Sequence, residues 1–156
     1  MQVRPARPED AATIQRLYQE LVPGDGNINV RPERIASLLE DATNHLFVID
    51  TAGVVCGTAF LTICLDVMYA FQPYAVVENV IVGATVRGRG AGRLLMAALE
   101  QTARAAQCTK LMLLSSLQRT DAHRFFEDLG FEGSKKRGFV KYLNRTPPLR
   151  AASARP

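Results

Sequence analysis

An α/β fold built on a mixed, mostly antiparallel sheet of about seven strands flanked by four helices is what this 156-residue sequence predicts. Three observations carry that prediction. His45 to Val82 holds three successive β-prone stretches separated by short turns, which reads as an antiparallel meander. AVVENVIV, a glycine-rich loop, RLLMAALEQTARAA and KLMLLSS then follow one another as strand, helix and strand, which requires a parallel pair. Helical spacing of apolar residues recurs in four stretches outside the strands.

Taken in order, Val3–Ala6 is a short strand and Pro8-Glu9-Asp10 starts a helix, its acidic residues set at the positive end of the helix dipole. Ile14, Leu17, Tyr18 and Leu21 form that helix's buried stripe until Pro23-Gly24-Asp25-Gly26 breaks it. A second helix opens at Arg31-Pro32-Glu33, with Ile35, Leu38 and Leu39 as its stripe. Strands are expected at His45–Asp50, at Val54 to about Val67, where Val55, Ala59, Leu61, Ile63 and Leu65 share a face, and at Tyr74–Val82. The loop Met68–Pro73 is aromatic, suited either to a substrate rim or to packing on the core. A helix with Leu94, Leu95, Ala98, Leu99 and Thr102 on one side ends near Gln107. Lys110–Ser116 is a strand, Thr120–Leu129 a capped helix, and Phe131–Gly133 with Phe139–Leu143 closes as a final hairpin.

With 47% apolar and 22% charged residues, the chain suits a single domain over residues 1–145. The tail over residues 146–156 has no apolar period and is expected to be disordered. No apolar run reaches the roughly 18 to 20 residues of a membrane span, and MQVRPARPED lacks an apolar signal core, so a cytoplasmic protein without membrane association is expected. Cys56, Cys64 and Cys108 show no CxxC spacing, which points to reduced thiols and to no metal. The net charge of +4 rests on scattered arginines and suits an anionic cofactor better than nucleic acid.

Residues 75–92 are the candidate anion site. A helix start leaves backbone N–H groups unpaired and carries partial positive charge. Gly88, Gly90 and Gly92, interleaved with Arg89 and Ala91, let the backbone approach a diphosphate, while Arg87, Arg89 and Arg93 bring formal charge. The spacing fits neither the dinucleotide GxGxxG fingerprint nor a GxxxxGK[ST] loop.

What it does resemble, as Arg87-x-x-Gly90-x-Gly92 after a strand ending Val80-Ile81-Val82, is the acetyl-CoA pyrophosphate loop of the GNAT superfamily of N-acetyltransferases. The order of elements is similar to the whole GNAT fold, and Asp121–Phe131 resembles the family's A-x-x-F/L-Y-x-x-x-G-F segment. The resemblance implies an acyltransferase that moves acetyl from acetyl-CoA to a primary amine by direct attack in a ternary complex. It further implies that the Val80 and Val82 amides pair with the pantetheine arm, that a backbone amide in the Asn79–Ile81 region holds the oxyanion, that Ser115 and Ser116 line the far side of the cleft, and that Phe126 lies near the cofactor thiol. A homodimer is compatible with it.

Acetylating an alkylamine that is mostly protonated at pH 7 calls for a base. Glu78 is the candidate, because it shares strand parity with Val80 and Val82 and because Glu78-Asn79-Val80 resembles the acidic pair of glucosamine-6-phosphate N-acetyltransferases, with Asn79 in place of the second acid. Phe126 departs from the family, which places a tyrosine there as general acid, and phenylalanine donates no proton. A small-molecule acceptor is favoured. Protein lysine or amino-terminal acetylation, and a weakly catalytic acyl-CoA-binding module, are the alternatives.

Overall fold

The computed structural model describes residues 1–143. The tail expected over residues 146–156 lies outside the described residues. Nine elements follow in order: β1 (Gln2–Pro5), α1 (Ala11–Leu21), α2 (Pro32–Leu39), β2 (Asn44–Thr51), β3 (Val54–Cys64), β4 (Tyr74–Val82), α3 (Ala91–Ala105), β5 (Leu111–Leu113) and α4 (Thr120–Glu127). Single 3₁₀ turns precede α1 and α3. The chain divides into two compact units, Met1–Ser116 and the part from Leu117 onward, each described by itself.

In the first unit the sheet runs β1-β2-β3-β4-β5. Every pair is antiparallel except β4 and β5, which are parallel as the strand–helix–strand reading requires. Ala52 and Gly53 make the two-residue turn between β2 and β3; both have positive φ, the combination that matches the twist of a hairpin. The Asp50 carboxylate accepts the Gly53 amide at 2.7 Å and fixes the turn.

Two layers of helix cover the sheet. Ala11 and Ile14 of α1 and Ile35 of α2 pack with Leu46 and Val48 of β2, and Phe60 of β3 joins them. On the opposite face Ala59, Leu61, Ala75 and Val77 are buried, and α3, which also packs on β3 and β4, buries Leu95 and Leu99. Leu94 is exposed, so the helix's true stripe is Ala91, Leu95, Leu99 and Ala103, the i, i+4 row that faces the sheet.

Several expectations are corrected. Among the described residues the sheet has five strands rather than about seven, because the hairpin of Phe131–Gly133 with Phe139–Leu143 does not form. Glu132–Lys135 closes a turn instead, with the Lys135 amide donating to the Glu132 carbonyl and an ion pair between the two side chains at 2.7 Å. Phe139, Val140, Tyr142 and Leu143 stay exposed, and two short strands without a buried face are marginal in water. β3 ends at Cys64 and β5 at Leu113, each shorter than expected. Val55 packs with the α1 and α2 layer while Ala59 and Leu61 face the other way, because the β2–β3 register shifts at Ile49/Asp50 and breaks the alternation. In the loop Met68–Pro73 only Pro73 is buried; Met68 and Tyr69 are exposed, and Phe71 is 99% exposed, so its aromatic side chains do not pack on the core.

Candidate active site

The site is built on a defect in β4. Pairing with β3 runs Val77↔Leu61 and Glu78↔Phe60, then resumes at Ile81↔Thr58 and Val82↔Gly57, so Asn79 and Val80 together oppose Ala59. That is a β-bulge, and Asn79 makes it with φ +55, a left-handed conformation that asparagine tolerates better than most residues. On the other edge the parallel pairing with β5 stops at Val77↔Leu113, one residue earlier. From Glu78 onward β4 is therefore paired, among the described residues, only with β3, and a gap in the strand pairing opens beside it.

The bulge decides what faces that gap. Before it, the Ala75 amide donates to the Lys110 carbonyl at 2.9 Å, so Ala75 and Val77 point their backbone groups toward β5. After it, the Gly83 amide donates to Cys56 of β3 at 2.8 Å. Alternation then turns Ile81 toward β3, and Val80 and Val82 toward the open edge. An unpaired strand edge is a template for an extended amide-bearing partner.

Side chains are redistributed as well. Glu78 pairs with Phe60 and Ile81 with Thr58, all on the face covered by α1 and α2, whereas Val82 pairs with Gly57 on the α3 face. The expectation that Glu78 shares a face with Val80 and Val82 thus fails, since one inserted residue reverses strand parity. Glu78 shares its face with Ile81 instead, and it is exposed. Tyr18 of α1 reaches the same face; burial pushes its phenol up to about 12, partly offset by a hydrogen bond with Thr58.

Beyond Val82 the chain turns through Ala84–Val86 and enters the glycine loop. Gly88 and Gly90 have φ of +74 and +80, and nothing lies within 4 Å of where a Cβ would stand, so the space beside both glycines is open. Gly90 is the N-cap of α3, and its side-chain-free position leaves the first amides of that helix without a side-chain partner. Gly92 lies within the first turn, beside the buried Ala91. Arg89 and Arg93 are exposed. Arg87 is engaged: its Nε donates to the Val82 carbonyl at 2.9 Å, and its Nη2 to the carboxylate of Glu20 on α1.

Across the gap, Ser115 follows two residues after the end of β5. Its hydroxyl is buried and has no hydrogen-bond partner among the described residues, which is the state of a polar group that a ligand would complete. In the second unit, Phe126 of α4 is buried, edge-on to Phe131 at 5.8 Å and tilted against Phe125 at 5.3 Å. Gly130 ends the helix with φ +88.

A parallel pair that ends early, an interrupted strand and an open loop at a helix start coincide with the family signature. The model of the acetyltransferase (GNAT) family matches residues 12–131. The chain belongs to the GNAT acetyltransferase family. It is therefore an enzyme of the acyltransferase class, and members of this family use acetyl-CoA as donor. It is similar to a protein of Agrobacterium tumefaciens strain C58 assigned as an acetyltransferase, 32% identical, with a TM-score of 0.81 over 91% of this chain and 100% of that one. Glucosamine-6-phosphate N-acetyltransferase from Arabidopsis thaliana shares the fold at 20% identity, with a TM-score of 0.76 over 92% of this chain and 98% of that one. It is also 38% identical over 109 residues to N-alpha-acetyltransferase 80 of Mus musculus, covering 67% of this chain and 32% of the relative. The chain thus spans about a third of that protein's length.

For this GNAT member the sequence located the loop and the strand, and missed two residues that shape them. Asn79 makes the bulge; its signal was a polar Glu-Asn pair interrupting a β-branched run. Glu20 holds Arg87; a partner 67 residues away leaves no local signal. Among the described residues no helix is long and apolar enough to cross a membrane.

Proposed function

We propose that the protein transfers acetyl from acetyl-CoA to a primary amine of a small molecule, through direct attack in a ternary complex within one domain over residues 1–145. The observation that carries this reading is the open edge of β4 after the bulge, where the Val80 and Val82 amides face a gap that leads to the glycine loop. The pantetheine arm would pair with that edge. The amides of the 87–93 segment, with the exposed Arg89 and Arg93, would take the diphosphate. What supports the donor is the open space beside Gly88 and Gly90, together with the Ser115 hydroxyl, which has no partner among the described residues.

Glu78, on the α1 and α2 face, would take the proton from the incoming ammonium, directly or through one water. The free amine would then attack the thioester carbonyl, with an amide of the Asn79–Ile81 region holding the oxyanion. Phe126, carried over from the resemblance as a neighbour of the thiol, has no proton to give, so the CoA thiolate would leave unassisted. With a free-thiol pKa near 8.5 it is a competent leaving group.

A protein amino terminus as acceptor is the second reading, favoured by the similarity to the mouse N-alpha-acetyltransferase. Both readings share one first test. Acetyl-CoA and CoA, but not NADH or ATP, should raise the melting temperature, and a thiol-release assay over small amines and amino-terminal peptides should then name the acceptor. No stabilisation by acetyl-CoA would sink the proposal; release with peptides alone would replace the small molecule.

A further inference from the structure

We propose that the Arg87 side chain serves the diphosphate loop as a clasp rather than as a phosphate ligand, and that Glu20 is the residue that positions it. The inference rests on the acetyl-CoA reading above. It starts from the direction of the guanidinium, which turns back from the loop toward α1 and β4. Nε donates to the Val82 carbonyl at 2.9 Å and Nη2 to the Glu20 carboxylate, so two donors along one edge of the planar guanidinium are engaged together.

Each partner has a physical reason to hold it. Val82 directs its backbone toward the open edge of β4, so its carbonyl has no strand to accept from; Arg87 supplies the donor and leaves the edge amides available. Glu20 stands in the last turn of α1, at the negative end of the helix dipole, and that turn contains no basic residue. The cation that offsets its charge arrives from 67 residues away. Arg87 itself is extended, with φ −61 and ψ 151, between the 3₁₀ turn at Ala84–Val86 and Gly88 in the left-handed region. Holding its side chain at two points fixes where the glycine segment begins, and the Gly88 and Gly90 conformations carry that placement to the amides of α3.

The phosphates would then be met by those amides and by Arg89 and Arg93. Glu20 would set the affinity for acetyl-CoA and leave the chemical step untouched.

The test is a titration of CoA and of pantetheine onto the full chain and its variants, at several salt concentrations, with steady-state kinetics. Glu20→Gln should weaken CoA, and raise KM for acetyl-CoA, about fivefold, with kcat within about twofold. Glu20→Asp should restore most of the loss, and pantetheine, which lacks the diphosphate, should bind equally to all variants. Arg87→Gln should match Glu20→Gln, the double variant should be no worse than either, and the slope of log Kd against log salt should stay that of the unaltered protein. CoA affinity unchanged or improved in Glu20→Gln, or a slope flattened by about one charge in Arg87→Gln, would overturn the clasp. Amide hydrogen exchange without ligand separates this from the acetyl-CoA reading. Faster exchange across residues 88–92 in Glu20→Gln is expected, and unchanged exchange overturns the clasp even if the unaltered protein fails to bind CoA.

Discussion

Tyr74–Val77 and Asn79–Val82 are neighbouring halves of one β-branched strand, yet the first is hydrogen-bonded along both edges and the second along one. Ala75 and Val77 are sealed between β3, β5 and α3. Val80 and Val82, of the same residue type as Val77, present amides to the unpaired edge. Nothing in apolar content separates the halves. A single left-handed asparagine does, by exchanging the edge that each residue addresses, and the doubly paired half of the strand thereby holds the singly paired half in place.

Asn79→Val strikes the difference directly. A β-branched residue resists positive φ, so the bulge should be expelled or strained, at a cost of about 1–3 kcal/mol, and Val80 and Val82 would turn away from the gap. Acetyl-CoA turnover should fall by about 100-fold or more in a thiol-release assay, whereas Asn79→Gly should stay within about twofold. Equal turnover in the two variants would detach the bulge from function.

Glu78→Gln asks whether the residue at the junction of the two halves is the base. Turnover should drop by about 100-fold near pH 7 and by less toward pH 9, where more of the amine is already neutral. Unchanged rates from pH 6 to 9 would remove Glu78 from the mechanism.

Gly57 stands opposite Val82 in the β3–β4 ladder. A Cβ there would meet Ile49 Cδ1 at 2.8 Å and the Ile81 carbonyl oxygen at 3.0 Å. Gly57→Ala should cost about 2 kcal/mol in denaturant unfolding, because the backbone oxygen cannot step aside as the isoleucine can. Stability within 0.5 kcal/mol, roughly the scatter of a neutral surface substitution, would mean the two strands part more easily than their packing implies.

The β1 edge of the sheet has its own electrostatic lock, in which Arg4 binds Asp10 at 2.8 Å and Asp50 at 3.0 Å. Burial pushes the Asp10 carboxyl up, but the hydrogen bond from Arg4 and the Arg7 amide outweigh it; Arg4 also lowers Asp50, helped by the Gly53 amide. Both carboxyls thus sit below their ordinary value. Their contribution is complete above the unfolded carboxylate pKa near 3.9 and drains as pH falls through and below it. Arg4→Met should lower Tm by about 5 °C at pH 7 and make the fall below pH 4 shallower, with acetyl-CoA affinity unaltered. A fall as steep as the unaltered protein's would assign acid sensitivity elsewhere.

Phe126→Tyr should change least. If the thiolate leaves unassisted, turnover stays within about threefold; a large gain would show that the missing acid matters.

How much was legible follows from where the information lies. Element order, the parallel pair and the glycine loop all appear in the sequence, because periodicity, punctuation by Gly and Pro, and the strand–helix–strand order are local. The Thr51–Val54 hairpin was legible for the same reason. The terminal hairpin was misread because FVKYL has strand propensity, and propensity stands only where a sheet edge or a buried face supports it.

By itself, then, the sequence determined the family, the loop and the candidate residues from Glu78 to Arg93, since each is written in consecutive positions. Only the tertiary structure decided which way they point. Parity along β4 depends on how many residues oppose Ala59 on another strand, and the direction of Arg87 depends on Glu20, 67 positions away. Register and ion pairing are relations between distant segments, settled by packing, and no local pattern records them.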